Sequence, residues 1–210
     1  MLEEDGVLTI HLVRHGETLA TREHRLCGQS DCALSERGHR QSEAIVESCA
    51  DGGDWRAVYT SPLSRCRSMA EAVAERLRVP LSVENDLLEI DHGEWDGRLE
   101  LEIKESEPAA YGDFCDHPGI FAAPGGENGF QVAARALPVI ERIRGAHADG
   151  EVLVVSHEAT IRIIACALLG ISVDLYRARL ALPVASFTTV EFRSSGPLFR
   201  RFGERARETA

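Results

Sequence analysis

Apolar and polar positions along this chain fall into two alternating periods. Residues 7–13 form a largely apolar run, which predicts a buried strand ending at an edge. Residues 57–60 and 81–83 predict two short strands. Residues 151–155, Glu-Val-Leu-Val-Val, are β-branched and uncharged after the first position, and predict a strand buried on both faces. Between these runs the apolar residues recur at helical spacing. A helix is expected over residues 35–50, with Ser35 as its cap and Glu36 in its first turn. A second is expected to start at Ser61-Pro62, with Ser61 capping and Pro62 at the first helical position. Two more are expected over 129–147, interrupted by Pro138, and over 159–169. Residues 187–192 and 197–202 read as a hairpin around Ser194-Ser195-Gly196, followed by a polar tail from Gly203 expected to be mobile.

Strands alternating with helices predict an α/β fold: a three-layer α/β/α sandwich on a mostly parallel, mixed sheet. At 210 residues a single domain is expected, spanning the whole chain. Residues 85–126 break the pattern. They begin with four acids, a His, a Trp and two glycines, and continue through a polar helical stretch into an irregular aromatic one at 109–123. This segment reads as a loop and helical insertion arching over the site like a lid.

Composition narrows the classes. Net charge is −11 and hydrophobic content 44%. Such an acidic chain is not expected to bind nucleic acid or anionic membranes. No apolar run is long enough to span a bilayer, and the acidic start, Met1-Leu2-Glu3-Glu4-Asp5, does not resemble a signal peptide, so a cytoplasmic location is expected. The six cysteines are dispersed without a C-x-x-C pair and read as free thiols, although their even number leaves a disulfide open. No His-Glu-x-x-His arrangement occurs, so neither a metal nor another cofactor is expected.

Chemistry concentrates at strand ends. The first strand delivers Arg14 and His15, followed at once by Gly16; the strand at 151–155 delivers Ser156 and His157. A His beside an Arg offers an imidazole nucleophile next to a fork of phosphate donors. Two such strands, parallel and adjacent, would bring His15 and His157 face to face. Arg65 stands in the first turns of a helix that follows a strand, where α/β proteins bind anions. Glu89 lies between apolar neighbours, a setting that suits a general acid. Arg25, in the polar loop after the first motif, would add positive charge above the site, whereas Arg22 and Arg67 read as solvated.

The ordered set Leu12-Val13-Arg14-His15-Gly16-Glu17-Thr18, Leu34-Ser35-x-x-Gly38, Ser61-Pro62-Leu63-x-Arg65, Glu89 with Gly93-Glu94-Trp95-Asp96-Gly97, Pro124-Gly125-Gly126-Glu127 and Ser156-His157 resembles the histidine phosphatase superfamily, which includes phosphoglycerate mutases. The resemblance implies that His15 accepts a phosphoryl group and that Arg14, Arg65 and His157 clamp it, with Arg25 contributing. It implies that Glu89 protonates the leaving alcohol and then helps activate water. The implied activity is a metal-independent phosphomonoesterase that hydrolyses small phosphorylated metabolites through a phosphohistidine. The alternatives are a mutase-type phosphoryl transferase or a weakly active phospho-ligand-binding protein. A homodimer is left open. Two positions depart from the family pattern. Thr21 stands where Asn is frequent, its hydroxyl still able to donate to phosphate. Glu158 replaces the usual Gly after the second His, and is expected to point away from the site and cap the following helix.

Overall fold

The computed structural model describes residues 6–206. In chain order its elements are β1 (Leu8–Arg14), α1 (Leu19–Arg22), α2 (Glu36–Ala50), β2 (Trp55–Thr60), α3 (Ser64–Leu77), β3 (Leu81–Val83), α4 (Glu100–Ser106), α5 (Pro108–Asp116), α6 (Gly129–Ala146), β4 (Gly150–Ser156), α7 (Glu158–Leu169), α8 (Tyr176–Arg179), β5 (Ser186–Arg193) and β6 (Gly196–Arg205). The strands form one sheet in the order β3-β2-β4-β1-β5-β6. The pairs β3–β2, β2–β4 and β4–β1 are parallel, and β1–β5 and β5–β6 are antiparallel. The sheet is therefore mixed and mostly parallel in its first half, as expected.

Alternation along the strands sends neighbouring residues to opposite faces. Ile10, Leu12, Val152 and Val154 pack against Ala136, Val139, Ile140 and Ile143 of α6 and Ile161 and Ile164 of α7. Val13, Val58, Leu153 and Val155 face the other way, onto Ile45 of α2 and Met69, Ala70 and Val73 of α3. These two cores make the three layers. A smaller cluster of Trp95, Ile103, Phe114 and Ala123 holds together the segment around α4 and α5.

Several expectations change in detail. Helix α3 starts at Ser64, not at Ser61-Pro62, because the chain uses Ser61 to Leu63 to turn out of β2. Residues 108–116 are helical rather than irregular, with Pro108 at the first helical position where its missing N–H costs nothing. Pro138 lies inside α6 without ending it; buried residues on both sides, Ala136 and Val139, keep the helix against the sheet. Gly203 to Arg205 complete β6 instead of opening a mobile tail, whose remaining residues 207–210 lie outside the described ones, as does the acidic start at 1–5. The expectation of six free thiols fails for one pair: Cys27 and Cys32 form a disulfide, because the loop between them folds back on itself.

One contact sets the entry to the site. A Cβ on Gly38 would lie 2.0 Å from the Glu17 carbonyl oxygen, and one on Gly16 would lie 2.4 Å from the Gly38 carbonyl oxygen. The backbone after β1 thus rests directly on the first turn of α2. Gly38→Ala should destabilise the fold by roughly 1–3 kcal/mol through overpacking against backbone that cannot yield. Urea unfolding of the variant measures this, and an unchanged midpoint would contradict the contact.

Candidate active site

Sheet register builds the site. Arg14 of β1 pairs with Ser156 of β4, so the next residues, His15 and His157, emerge side by side. Their ring centroids are 5.2 Å apart with the planes at 66°. On the other side of β4, β2 ends at Thr60 and the turn through Ser61 leads into α3, whose first turn carries Arg65. Carboxyl ends of three parallel strands therefore converge on one place.

The hydrogen bonds assign both tautomers. His15 is buried, and its Nδ1 lies 2.7 Å from the Gly16 carbonyl. A carbonyl only accepts, so Nδ1 carries the proton and Nε2 keeps its lone pair. Burial, then Arg65 and Arg14, push the His15 pKa well below its ordinary value, against a smaller opposing effect of the Gly16 bond. In His157, Nδ1 accepts from Arg65 Nε at 3.3 Å, so Nε2 bears the proton and donates to Ser61 Oγ at 2.7 Å. Its pKa is also well below the ordinary value, through burial, then Arg65 and His15. Both imidazoles are neutral. His157 is fully buried and packs behind His15, with both ring nitrogens engaged by protein groups.

Arg65 is fixed by the loop between the paired cysteines. Its Nη1 donates to the Ser30 carbonyl at 2.8 Å and its Nη2 to the Gly28 carbonyl at 2.6 Å. Asp96 accepts from the backbone N–H of Gly28 at 2.7 Å and of Ser30 at 3.0 Å, pinning that loop from the other side. Burial pushes the Asp96 carboxyl up, but the bonds from Ser30 and Gly28 outweigh it and leave the pKa lowered. Asp31, from the same loop, accepts from the Ser64 N–H at 2.9 Å, where α3 begins. Arg14 donates through Nη1 to the Leu182 carbonyl and through Nη2 to Glu158 at 2.7 Å. Its Nε is buried and has no hydrogen-bond partner among the described residues.

Glu89 is buried against the N-terminus of α7. Its carboxyl accepts from the N–H groups of Ala159 and Thr160, both at 3.2 Å, and of Ile90 at 3.0 Å. The backbone around it is held by Arg135 of α6, which donates to the carbonyls of Asp86, Leu88 and Glu89 at 2.8–2.9 Å. Glu127 pairs with Arg135 at 2.9 Å and accepts from the Asp91 N–H at 3.0 Å. This explains the Pro124-Gly125-Gly126-Glu127 motif, whose acid locks the loop carrying Glu89. Sequence reasoning missed Arg135, although an Arg on the apolar side of an amphipathic helix, two turns after Glu127, was a signal.

A cavity of about 320 Å³ opens above these groups. Arg14, His15, Arg65 and Glu89 line it, as do Thr21 and Arg25. Thr21 is tied to Thr18 by a 2.9 Å hydroxyl pair, and Arg25 to Glu23 and to the Gly97 carbonyl, both at 3.0 Å. Arg162, Tyr176 and Arg177 line it as well, and nothing local in the sequence marks them. Glu158 corrects the expectation that it points away. It faces the cavity and bridges Arg14 at 2.7 Å and Arg162 at 2.8 Å. Two guanidiniums hold its carboxylate inward, which offsets the repulsion expected from an acid beside a phosphate site. Among the described residues, no group of three or more His, Cys, Asp or Glu side chains is arranged to hold a metal ion.

A family model for the histidine phosphatase superfamily (branch 1) matches residues 10–205. The chain belongs to that superfamily. Phosphoserine phosphatase 1 of Hydrogenobacter thermophilus is 33% identical over 165 residues, covering 79% of this chain and 78% of that protein. A glucosyl-3-phosphoglycerate phosphatase of Mycolicibacterium vanbaalenii is 32% identical over 170 residues, covering 78% and 75%. The solved structure of Bacillus stearothermophilus YhfR superposes with a TM-score of 0.86 at 28% identity, covering 94% of this chain and 97% of the other. The chain is thus a phosphoric monoester hydrolase of the histidine phosphatase kind, on an α/β fold shared across the family. No helix among its described residues is long and apolar enough to cross a membrane.

Two outcomes follow from the charges. Unfolded His15 and His157 would take up protons below their ordinary pKa of 6.5, while the folded chain holds both neutral further down. The unfolded state then binds more protons, so stability is intact above that value and falls as pH drops below it, by about 1.4 kcal/mol per pH unit per histidine. Urea titrations of wild type and His157→Gln between neutral and mildly acidic pH check this, and an unchanged slope in the variant would contradict it. In turn, Glu158→Gln removes the anion that competes for Arg14. Vanadate should then inhibit roughly three- to tenfold more tightly, the modest size reflecting partial solvent screening. Equal inhibition constants would mean that Glu158 leaves the phosphate site untouched.

Proposed function

We propose that the chain hydrolyses small phosphorylated metabolites with His15 as nucleophile. One observation carries this reading: His15 is neutral, has its Nε2 lone pair free, and lies within the electrostatic influence of both Arg14 and Arg65. Nε2 attacks the phosphorus, and the bond from phosphorus to the ester oxygen breaks. Glu89 gives its proton to the departing oxygen. Water then attacks the phosphohistidine while Glu89 takes the water's proton, and inorganic phosphate leaves. Arg14 and Arg65 neutralise the charge that spreads over the equatorial oxygens, which is where most of the catalysis of phosphoryl transfer lies. Their guanidiniums are held by backbone carbonyls, so little reorganisation is needed as the charge develops. His157 acts from behind, through Arg65 and by closing the pocket around His15. Thr21 and Arg25 stand at the rim and contribute to binding. The relatives named above act on phosphoserine and on glucosyl-3-phosphoglycerate, and a small phosphorylated metabolite of that general size suits the cavity.

Turnover of p-nitrophenyl phosphate tests the reading most cheaply. Wild type should release phosphate in the presence of chelator, because arginines supply the positive charge. His15→Ala should lose at least about a thousandfold in kcat while remaining folded. A fully active variant would overturn the assignment. Glu89 is tested by the leaving group. General-acid help is worth about 10²–10⁴-fold when the departing oxygen needs a proton. Glu89→Gln should lose that much on an alkyl phosphate and far less on p-nitrophenyl phosphate, whose leaving group departs unaided. Equal losses on both would leave Glu89 a positioning role only.

A further inference from the structure

We infer that an arginine-lined recess beside the catalytic cavity takes a second anionic group of the substrate. The preferred substrate is then a small phosphomonoester that also carries a carboxylate or a second phosphate. This rests on the reading that His15 receives the phosphoryl group.

The recess, about 460 Å³, opens next to the catalytic cavity and shares Glu158, Arg162 and Arg177 with it as a common wall. Arg179, at the end of α8, and Arg205, at the end of β6, line the recess but not the catalytic cavity; both are exposed, and Arg205 also borders a separate groove that carries Glu43, Glu47 and Glu204. Four guanidiniums therefore face one small space in a chain whose net charge is −11. The acid in that wall, Glu158, already divides its two oxygens between Arg14 and Arg162. Neither Arg179 nor Arg205 has an acidic partner among the described residues.

Two of the four guanidiniums, those of Arg162 and Arg177, are held in place by the fold, while Arg179 and Arg205 stand exposed beside them. Arg162 is buried and donates to the carbonyls of Tyr176 at 3.1 Å and Arg177 at 2.8 Å, which fixes α8 against α7. Arg177 lies 4.0 Å over the Phe114 ring and, among the described residues, pairs with one acid, Glu100, at 3.5 Å. Stacking sets its position while leaving most of its donors unused. Tyr176, on the same short helix, is buried and lines the catalytic cavity beside Arg177. Because the wall is shared, one small molecule can hold its phosphoryl group at His15 and a second anion at Arg177, with Arg179 and Arg205 adding charge from outside.

Matched substrate pairs test this with the full chain. O-phosphoserine and phosphoethanolamine differ by one carboxylate; glucose 1,6-bisphosphate and glucose 6-phosphate differ by one phosphate. Wild type should favour the more anionic member of at least one pair in kcat/KM, and the favoured pair identifies the second anion. In Arg179→Ala/Arg205→Ala that preference should shrink by about tenfold, through KM rather than kcat. Arg179→Lys/Arg205→Lys should restore most of it, and added salt should erode it in wild type. Equal treatment of both members of both pairs by wild type would overturn the inference, and so would a preference that the alanine variant leaves intact. Failure of the underlying reading looks different: no member of either pair would be hydrolysed in a way that depends on His15.

Discussion

Parallel pairing of β1 with β4 is the constraint on which the rest depends. The register that sets Arg14 against Ser156 delivers two histidines to the same edge of the sheet. Buried there, beside Arg65 and Arg14, neither imidazole readily takes up a second proton. Neutrality is what a phosphoryl acceptor needs, since a protonated ring has no lone pair to offer. On the proposed reading, the same arginines that suppress the proton attract the phosphate, so that nucleophile and anion site are one electrostatic arrangement, set by strand register.

Around that centre, each charged group is held by another element. The loop closed by Cys27 and Cys32 presents two carbonyls to Arg65, and Asp96 fixes the loop in turn. Arg135 and Glu127 brace the segment that carries Glu89. Glu158 links the arginine of the phosphate site to the arginine that anchors α8. The remote partners cost stability as buried charges, and they return it as geometry, because a guanidinium already in place needs no rearrangement when substrate arrives.

Much of this was legible in the sequence because strand-end chemistry depends on short segments. An apolar run ending in His, found twice, was enough to place His15 and His157 together, and a strand-to-helix step placed Arg65. What was not legible depends on partners distant in the chain. The Cys27–Cys32 spacing carries no signature, and the groups bonded to that loop, Arg65 and Asp96, lie far from it in the chain. The inward turn of Glu158 depends on Arg14, far away in sequence, although Arg162 four residues on was a readable half of the pair. The start of α3 shifted because a cap read locally ignored the bond from His157 to Ser61. The arginine recess needs α8 and β6 to meet, which no local pattern predicts.

The central claim is that His15 becomes covalently phosphorylated during turnover. Rapid acid-free quench of wild type with a phosphoryl-labelled substrate, followed by peptide mapping, tests it most directly. The account predicts a base-stable, acid-labile label on His15 that forms and decays at rates compatible with kcat. Turnover with no trapped label, or a label on another residue, would contradict it.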